Sequence, residues 1–178
     1  MMYTSVPQIF ETIDATRDRI YKRAEVLNDD ELNARPHADA WSVAEIIEHL
    51  TLIEGRLLGM MKMMLLKAEG ASLASNAAQV EMQPFSLEQF VERARREKYS
   101  SPESAHPSGK EALPDILARM RQTREELRSL RPRIEATDLS AFVYPHPVFG
   151  PLNFYQWLAF IGIHEERHLA QIEKTLTS

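Results

Sequence analysis

The sequence predicts an all-α fold, a four-helix bundle, on three observations. Apolar residues recur at helical spacing in four long segments. The ten prolines stand in first turns or between these segments, never inside them. No stretch alternates apolar and polar residues far enough to build a sheet. Four amphipathic helices bury their stripes against one another, and a bundle is the simplest way to do it. At 178 residues the chain is expected to form one domain, residues 1–178, with a sizeable core.

The first helix is expected from about Ser5 to Leu27. Ser5 suits the N-cap, and Pro7 stands in the first turn, where a missing N–H costs nothing. Val6, Ile9, Phe10, Ile13, Ile20 and Ala24 belong to its stripe. Asn28, Asp29 and Asp30 can end the helix and begin a short turn, and a loop follows over 35–40. The second helix starts at Ser42, which with Glu45 makes a capping box. Ile46, Ile47, Leu50, Ile53, Leu57 and Met61 mark its stripe, and His49 falls inside it. In the methionine run, Met61 and Met64 read as core filler. Met60 and Met63 lie on a second face and hint at a homodimer contact.

Residues 68–109 are the least regular part, with Pro84, Pro102 and Pro107. Within them a short extra helix is expected over Ser86–Lys98, where Ser86 and Gln89 form another capping box. Arg93, Arg95, Arg96 and Lys98 crowd its end, as a solvated face or an anion-attracting lid. The length of this connection is compatible with a crossover between the second and third helices. The third helix is expected from Lys110 to Arg131, with Pro114 in its first turn and Pro132 ending it. Pro145, Pro147 and Pro151 then forbid helix, and a brief extended piece is expected around Ala141–Tyr144. The last helix opens at Asn153, capped with Gln156, and runs to about Leu176.

Composition narrows the function. The net charge of −5 argues against nucleic-acid binding, which needs a basic field. No apolar run can span a bilayer, and the first residues hold Glu11, Asp14 and Arg17 in place of a secretion signal. A cytoplasmic location is therefore expected. There is no cysteine, so disulfides, thiolate ligands and a cysteine nucleophile are excluded. Thiol chemistry would need a small-molecule thiol from outside.

The last helix carries His164-Glu165-Glu166-Arg167-His168. Residues four apart on a helix point the same way, and Trp157, Ile161 and Ile172 put both imidazoles on the core stripe. Buried polar rings need partners. His49 could make the pair a three-imidazole site for zinc, nickel, copper or iron(II), with room left for water or substrate. Ordinary hydrogen bonds are the other way to satisfy the three rings. The run also matches H-E-x-x-H, the zinc-peptidase pattern with glutamate as general base. Only ten residues follow His168, which leaves no room for the usual downstream ligand. Glu165 therefore reads as a solvent-side residue or one that orients a ligand. It is still the nearest carboxylate for proton transfer. Glu45, four before His49, and Gln171, three after His168, are placed to orient ligand rings. Alternatively they are a cap and a surface amide. His37, His106 and His146 sit in proline-containing loops and read as incidental, although His146 could overhang the pocket.

Trp41-Ser42-Val43-Ala44-Glu45-Ile46-Ile47-Glu48-His49-Leu50 resembles the first motif of the DinB-like superfamily. His164-Glu165-Glu166-Arg167-His168-Leu169-Ala170-Gln171-Ile172 resembles its second, and the approach through Phe149-Gly150-Pro151-Leu152 is also similar. The resemblance spans the chain and implies no polymerase activity. It implies a four-helix bundle, commonly dimeric, with a divalent metal on His49, His164 and His168. It further implies a small-molecule substrate, turned over by thiol transfer or by hydrolysis, with a low-molecular-weight thiol as possible cofactor. Zinc, nickel or iron is the expected metal. The alternative is a non-catalytic bundle that binds a metal or ligand in a stress response. The long 68–109 segment departs from the simplest family pattern, so the substrate does not carry over.

Overall fold

A computed structural model describes residues 2–75, 82–88, 91–92 and 103–177. Its helices are α1 (Val6–Ala24), α2 (Asp29–Asn33), α3 (Val43–Ser75), α4 (Leu113–Ser129), α5 (Arg131–Ala136) and α6 (Phe154–Leu176). Two short antiparallel pairs accompany them: β1 (Met2–Tyr3) with β2 (Phe85–Ser86), and β3 (Val143–His146) with β4 (Gly150–Asn153). The long helices α1, α3, α4 and α6 form the four-helix bundle.

Local chemistry sets the ends. Ser5 Oγ accepts from the Gln8 N–H, and Pro7 occupies the first turn of α1. Asn153 and Gln156 complete a reciprocal capping box at α6, as do Ser42 and Glu45 at α3. Three boundaries differ from the sequence reading. Helix α3 continues to Ser75, ten residues past Leu65, because nothing from Lys67 onward breaks it. Pro132 ends no helical stretch: it sits in the first turn of α5, which starts directly after Leu130. The proline-rich connection forms a true hairpin, β3–β4. Its prolines 145 and 151 face one another in register, and Gly150 takes φ +77° beside the loop Pro147–Phe149. Two strands alone are marginal, but this hairpin is tied to α6: the Trp157 Nε1–H donates to Tyr144 O at 3.0 Å. Of the expected 86–98 helix, residues 88, 91 and 92 are helical, and the Val91 N–H reaches Leu87 O. Gln89 and the basic cluster Arg93, Arg95, Arg96 and Lys98 lie outside the described residues.

The core is split in two. One cluster joins Phe10, Met61, Leu127 and Leu158, and the other joins Ile20, Ile47, Met120 and Ile172. The order in which each helix passes through them fixes its direction. Helices α1 and α6 run from the first cluster to the second; α3 and α4 run back. Helix α1 lies along α6, and α3 lies between α6 and α4. Helices α3 and α4 are parallel. Of the described residues between them, Phe85–Ser86 pair with β1 at one end, and residues 105–109 reach His49 and Glu48. Gly162 lets α1 and α6 approach: a Cβ there would stand 3.1 Å from Ile13 Cγ2 and 3.5 Å from its Cα.

Between the two clusters each long helix contributes one charge. Arg17, Glu54, Arg124 and Glu165 are 1–2% exposed. Arg124 Nε and Nη2 donate to Glu54 Oε1 at 2.7 Å and Glu165 Oε1 at 2.8 Å, and Arg17 pairs with both carboxylates. Arg124 Nη1 also caps Ile13 O at 2.8 Å. Two cations and two anions balance. Such a layer adds little net stability over apolar packing, since desolvation offsets the attraction. Its hydrogen bonds tie all four helices together at one level.

Candidate metal centre

Helices α3 and α6 run antiparallel, so His49 meets His164 and His168 across their contact. The ring centroids of His49 lie 5.3 Å from His164 and 4.9 Å from His168; those of His164 and His168 are 4.6 Å apart. One nitrogen from each ring falls within 4.8 Å of the others. His49 and His168 are buried and His164 is half-buried.

Hydrogen bonds to the outer nitrogens orient two of the rings. His49 Nδ1 is 2.8 Å from Ala105 O, a carbonyl that can only accept. Nδ1 therefore carries the proton, and Nε2 keeps a lone pair for a ligand. His168 Nδ1 is 2.8 Å from Gln171 Oε1, and with the amide oxygen assigned to that side Nε2 is again bare. His168 Nε2 then faces His164 Nε2 at 3.2 Å. Two lone pairs at that distance repel unless a proton or a cation lies between them. With nitrogen–metal bonds of about 2.0–2.1 Å, a 3.2 Å separation subtends about 100°, an angle that tetrahedral and octahedral ions both tolerate. The residues fit a divalent ion.

Electrostatics keep the rings neutral. Burial lowers the pKa of all three, His168 to about 3 and His164 well below its usual value. The neighbouring histidines and the positive charge of Arg167 push in the same direction, and Arg56 and His106 add to this at His49. Neutral imidazole is the form that binds a metal. Trp41 covers one side, its ring 4.9 Å from His49, and Phe160 stacks at 6.1 Å from His164.

The remaining expected residues divide. Gln171 orients His168. Glu45 does not orient His49: it caps α3 through the Ser42 N–H at 2.8 Å and pairs with Arg35. Glu165 is neither solvent-side nor bonded to the histidines. Neighbouring positions on a helix point about 100° apart, so its carboxylate turns into the ionic layer with Arg17 and Arg124. Burial pushes its pKa up against the pull of both guanidiniums, and its Oε2 is buried without a hydrogen-bond partner. His37 and His106 are exposed, the latter edge-on to Trp41 at 5.8 Å. His146 is half-buried against Trp157 and Phe160. A cavity of about 370 Å³ lies at the start of α1, between Pro7, Pro84 and Tyr155, and touches none of the three histidines.

Two supports escaped the sequence reading. The Ala105 carbonyl comes from the 3-10 turn Glu103–Ala105, and no side-chain pattern marks a backbone acceptor. Glu48, 2% exposed, accepts the Ser108 N–H at 2.7 Å and the Gly109 N–H at 3.0 Å, which anchors the connection beside that turn. Its signal was a carboxylate next to His49 on a buried stretch of α3.

The sequence profile of the DinB superfamily matches residues 12–172. The chain belongs to the DinB superfamily. The uncharacterized protein YuaE of Bacillus subtilis (strain 168) is 31% identical over 150 residues, covering 83% of this chain and 85% of its own. Among solved structures, TT2238, described as a four-helix bundle protein, superposes with a TM-score of 0.62 at 19% identity, over 96% of this chain and 99% of that one. YfiT from Bacillus subtilis, described as a probable metal-dependent hydrolase with an unusual four-helix bundle topology, gives 0.51 at 13%, over 95% and 84%. At these identities the two structures establish the shared fold. Among the described residues no helix is long and apolar enough to cross a membrane.

Proposed function

We propose that this DinB-superfamily protein is a divalent-metal enzyme that transfers a low-molecular-weight thiol to a small electrophile. The observation that carries the reading is the convergence of His49, His164 and His168, with two rings oriented through their outer nitrogens. Three neutral imidazoles would hold zinc, nickel or iron(II) and leave a position for another ligand. The metal would supply acidity, lowering the pKa of a water or thiol that reaches it. Trp41 and Phe160 pack against His49 and His164, and burial keeps the donor set uncharged. Glu165 is committed to Arg17 and Arg124, so the one carboxylate marked as a base is withdrawn. A thiol ionised by the metal needs no such base. This favours thiol transfer over hydrolysis, and the absence of cysteine means that the thiol must come from outside. Hydrolysis is the second reading, supported by the description of YfiT.

The test is elemental analysis of the protein as isolated, followed by turnover assays with the metal restored. We expect about one divalent ion per chain, lost in His168→Ala, and conjugation of a small thiol to an electrophile such as a chloronitrobenzene. Metal content far below stoichiometric in wild type, unchanged by His168→Ala, refutes the centre. Full metal content with no turnover of thiol conjugates or ester probes refutes the enzyme.

A further inference from the structure

The β3–β4 hairpin places one more imidazole near the histidine cluster, and its tautomer can be read from its surroundings. His146 Nδ1 accepts two backbone hydrogen bonds, from the Val148 N–H at 3.1 Å and the Phe149 N–H at 3.2 Å. A nitrogen that accepts from two donors carries no proton. The hydrogen of the neutral ring is therefore on Nε2, on the opposite edge. Nε2 has no hydrogen-bond partner among the described residues, although the ring is half-buried.

The ring is held rigidly. It stacks on Phe149 at 4.5 Å and packs against Trp157 at 5.1 Å and Phe160 at 4.8 Å. Trp157 in turn pins the hairpin through Tyr144 O. Phe160 is the link to the centre, since it also stacks on His164 at 6.1 Å. His146 is also among the groups whose charge acts on His164. The positive charges of Arg167, near all three histidines, and of Arg56, near His49, disfavour a second positive charge on these rings.

We propose that His146 is a substrate-binding residue: its Nε2–H donates a hydrogen bond to the acceptor atom of a small anion held beside His164. The proposal rests on the metal reading above. It assigns specificity to the hairpin: the turn fixes the donor, and Phe149, Trp157 and Phe160 give it a desolvated setting in which a hydrogen bond to an anion is strong. A residue that served only to cap the turn would use Nδ1 and leave ligand affinity alone.

The two nitrogens can be separated by substitution. Asparagine offers an acceptor near the position of Nδ1 and nothing at Nε2; glutamine offers a donor near Nε2 and no turn acceptor. The experiment titrates azide into the cobalt(II)-loaded protein and follows the visible absorption of the ion. His146→Asn should bind cobalt as wild type does and bind azide roughly 10- to 100-fold more weakly, the range for a hydrogen bond to a charged group. His146→Gln should retain most of the azide affinity. Imidazole nitrogen NMR of the unsubstituted protein supplies a readout free of folding effects, in which residue 146 should show the Nε2–H tautomer. Equal azide affinity in wild type and His146→Asn, or an Nδ1–H tautomer, overturns this proposal and leaves the metal centre standing. Failure of wild type to take up cobalt, or of its cobalt form to bind azide, removes the open metal site and this proposal with it.

Discussion

Removing one charge from the layer that divides the core should be far more damaging than removing a matched pair. Arg124→Met replaces a long side chain with an apolar one and deletes four hydrogen bonds. Those to Glu54, Glu165 and Ile13 O measure 2.7–2.8 Å, and that to Asp14 3.1 Å. Arg17 is then left to balance two carboxylates that are each 2% exposed, and a carbonyl loses its donor. Stranding a buried charge in this way costs about 3–5 kcal/mol. An unfolding entropy of about 2.1 cal/mol/K per residue gives roughly 0.37 kcal/mol/K for a chain of this length, so Tm should fall by roughly 8–13 °C. The double variant Arg124→Met/Glu165→Leu leaves Arg17 facing Glu54 alone, a neutral pair. It should lose less than Arg124→Met, although it changes more. Thermal and urea unfolding of the metal-free protein, followed by circular dichroism, measures both. A loss below about 1 kcal/mol for Arg124→Met, or a double variant equal to the sum of its parts, would show that these residues are not coupled as described.

Two further outcomes follow from the site itself. Gln171→Leu removes the acceptor that orients His168 and should weaken zinc binding about 10- to 100-fold by calorimetry with no change in fold; unchanged affinity would make that contact incidental. The metal-free protein should lose stability as pH falls from about 6.5 toward 4. His168 and His146 have folded-state pKa values depressed to about 3 and about 4, so the unfolded chain binds protons in this window that the folded one refuses. That stability is fully present above 6.5, and buried His168 accounts for a slope of up to about 1.4 kcal/mol per pH unit. Stability flat across this window by urea titration would mean that the rings are charged or freely hydrated in the fold.

The ionic layer also shows how much of the molecule was legible. Arg17 stands between Ile13 and Ile20, Glu54 between Leu50 and Leu58, Arg124 between Met120 and Leu127, and Glu165 between Ile161 and Leu169. Each is a charge set on an apolar stripe. Four such interruptions, with opposite signs in equal number, could have been read as one layer. The H-E-x-x-H motif that contains Glu165 points instead to a base or a ligand-orienting residue. The metal-ligand candidates are legible because His164 and His168, four apart on one stripe, and His49, inside another, are polar rings on apolar faces and have few roles there. The hairpin was missed because its prolines argue against strand, whereas at positions 145 and 151 they face each other in a two-stranded ribbon that has edges only.

Periodicity along single helices determined the bundle, its caps and the histidines that face inward, because a helix carries residues three and four apart to one side whatever it later packs against. Direction and partnership were decided only in three dimensions. Whether α3 meets α6 or α1, where the Ala105 carbonyl arrives, and which way Glu165 and the His146 ring turn all depend on contacts between residues distant in the chain. Those contacts are selected by the joint packing of two core clusters around a balanced layer of charge, and no local pattern encodes that competition.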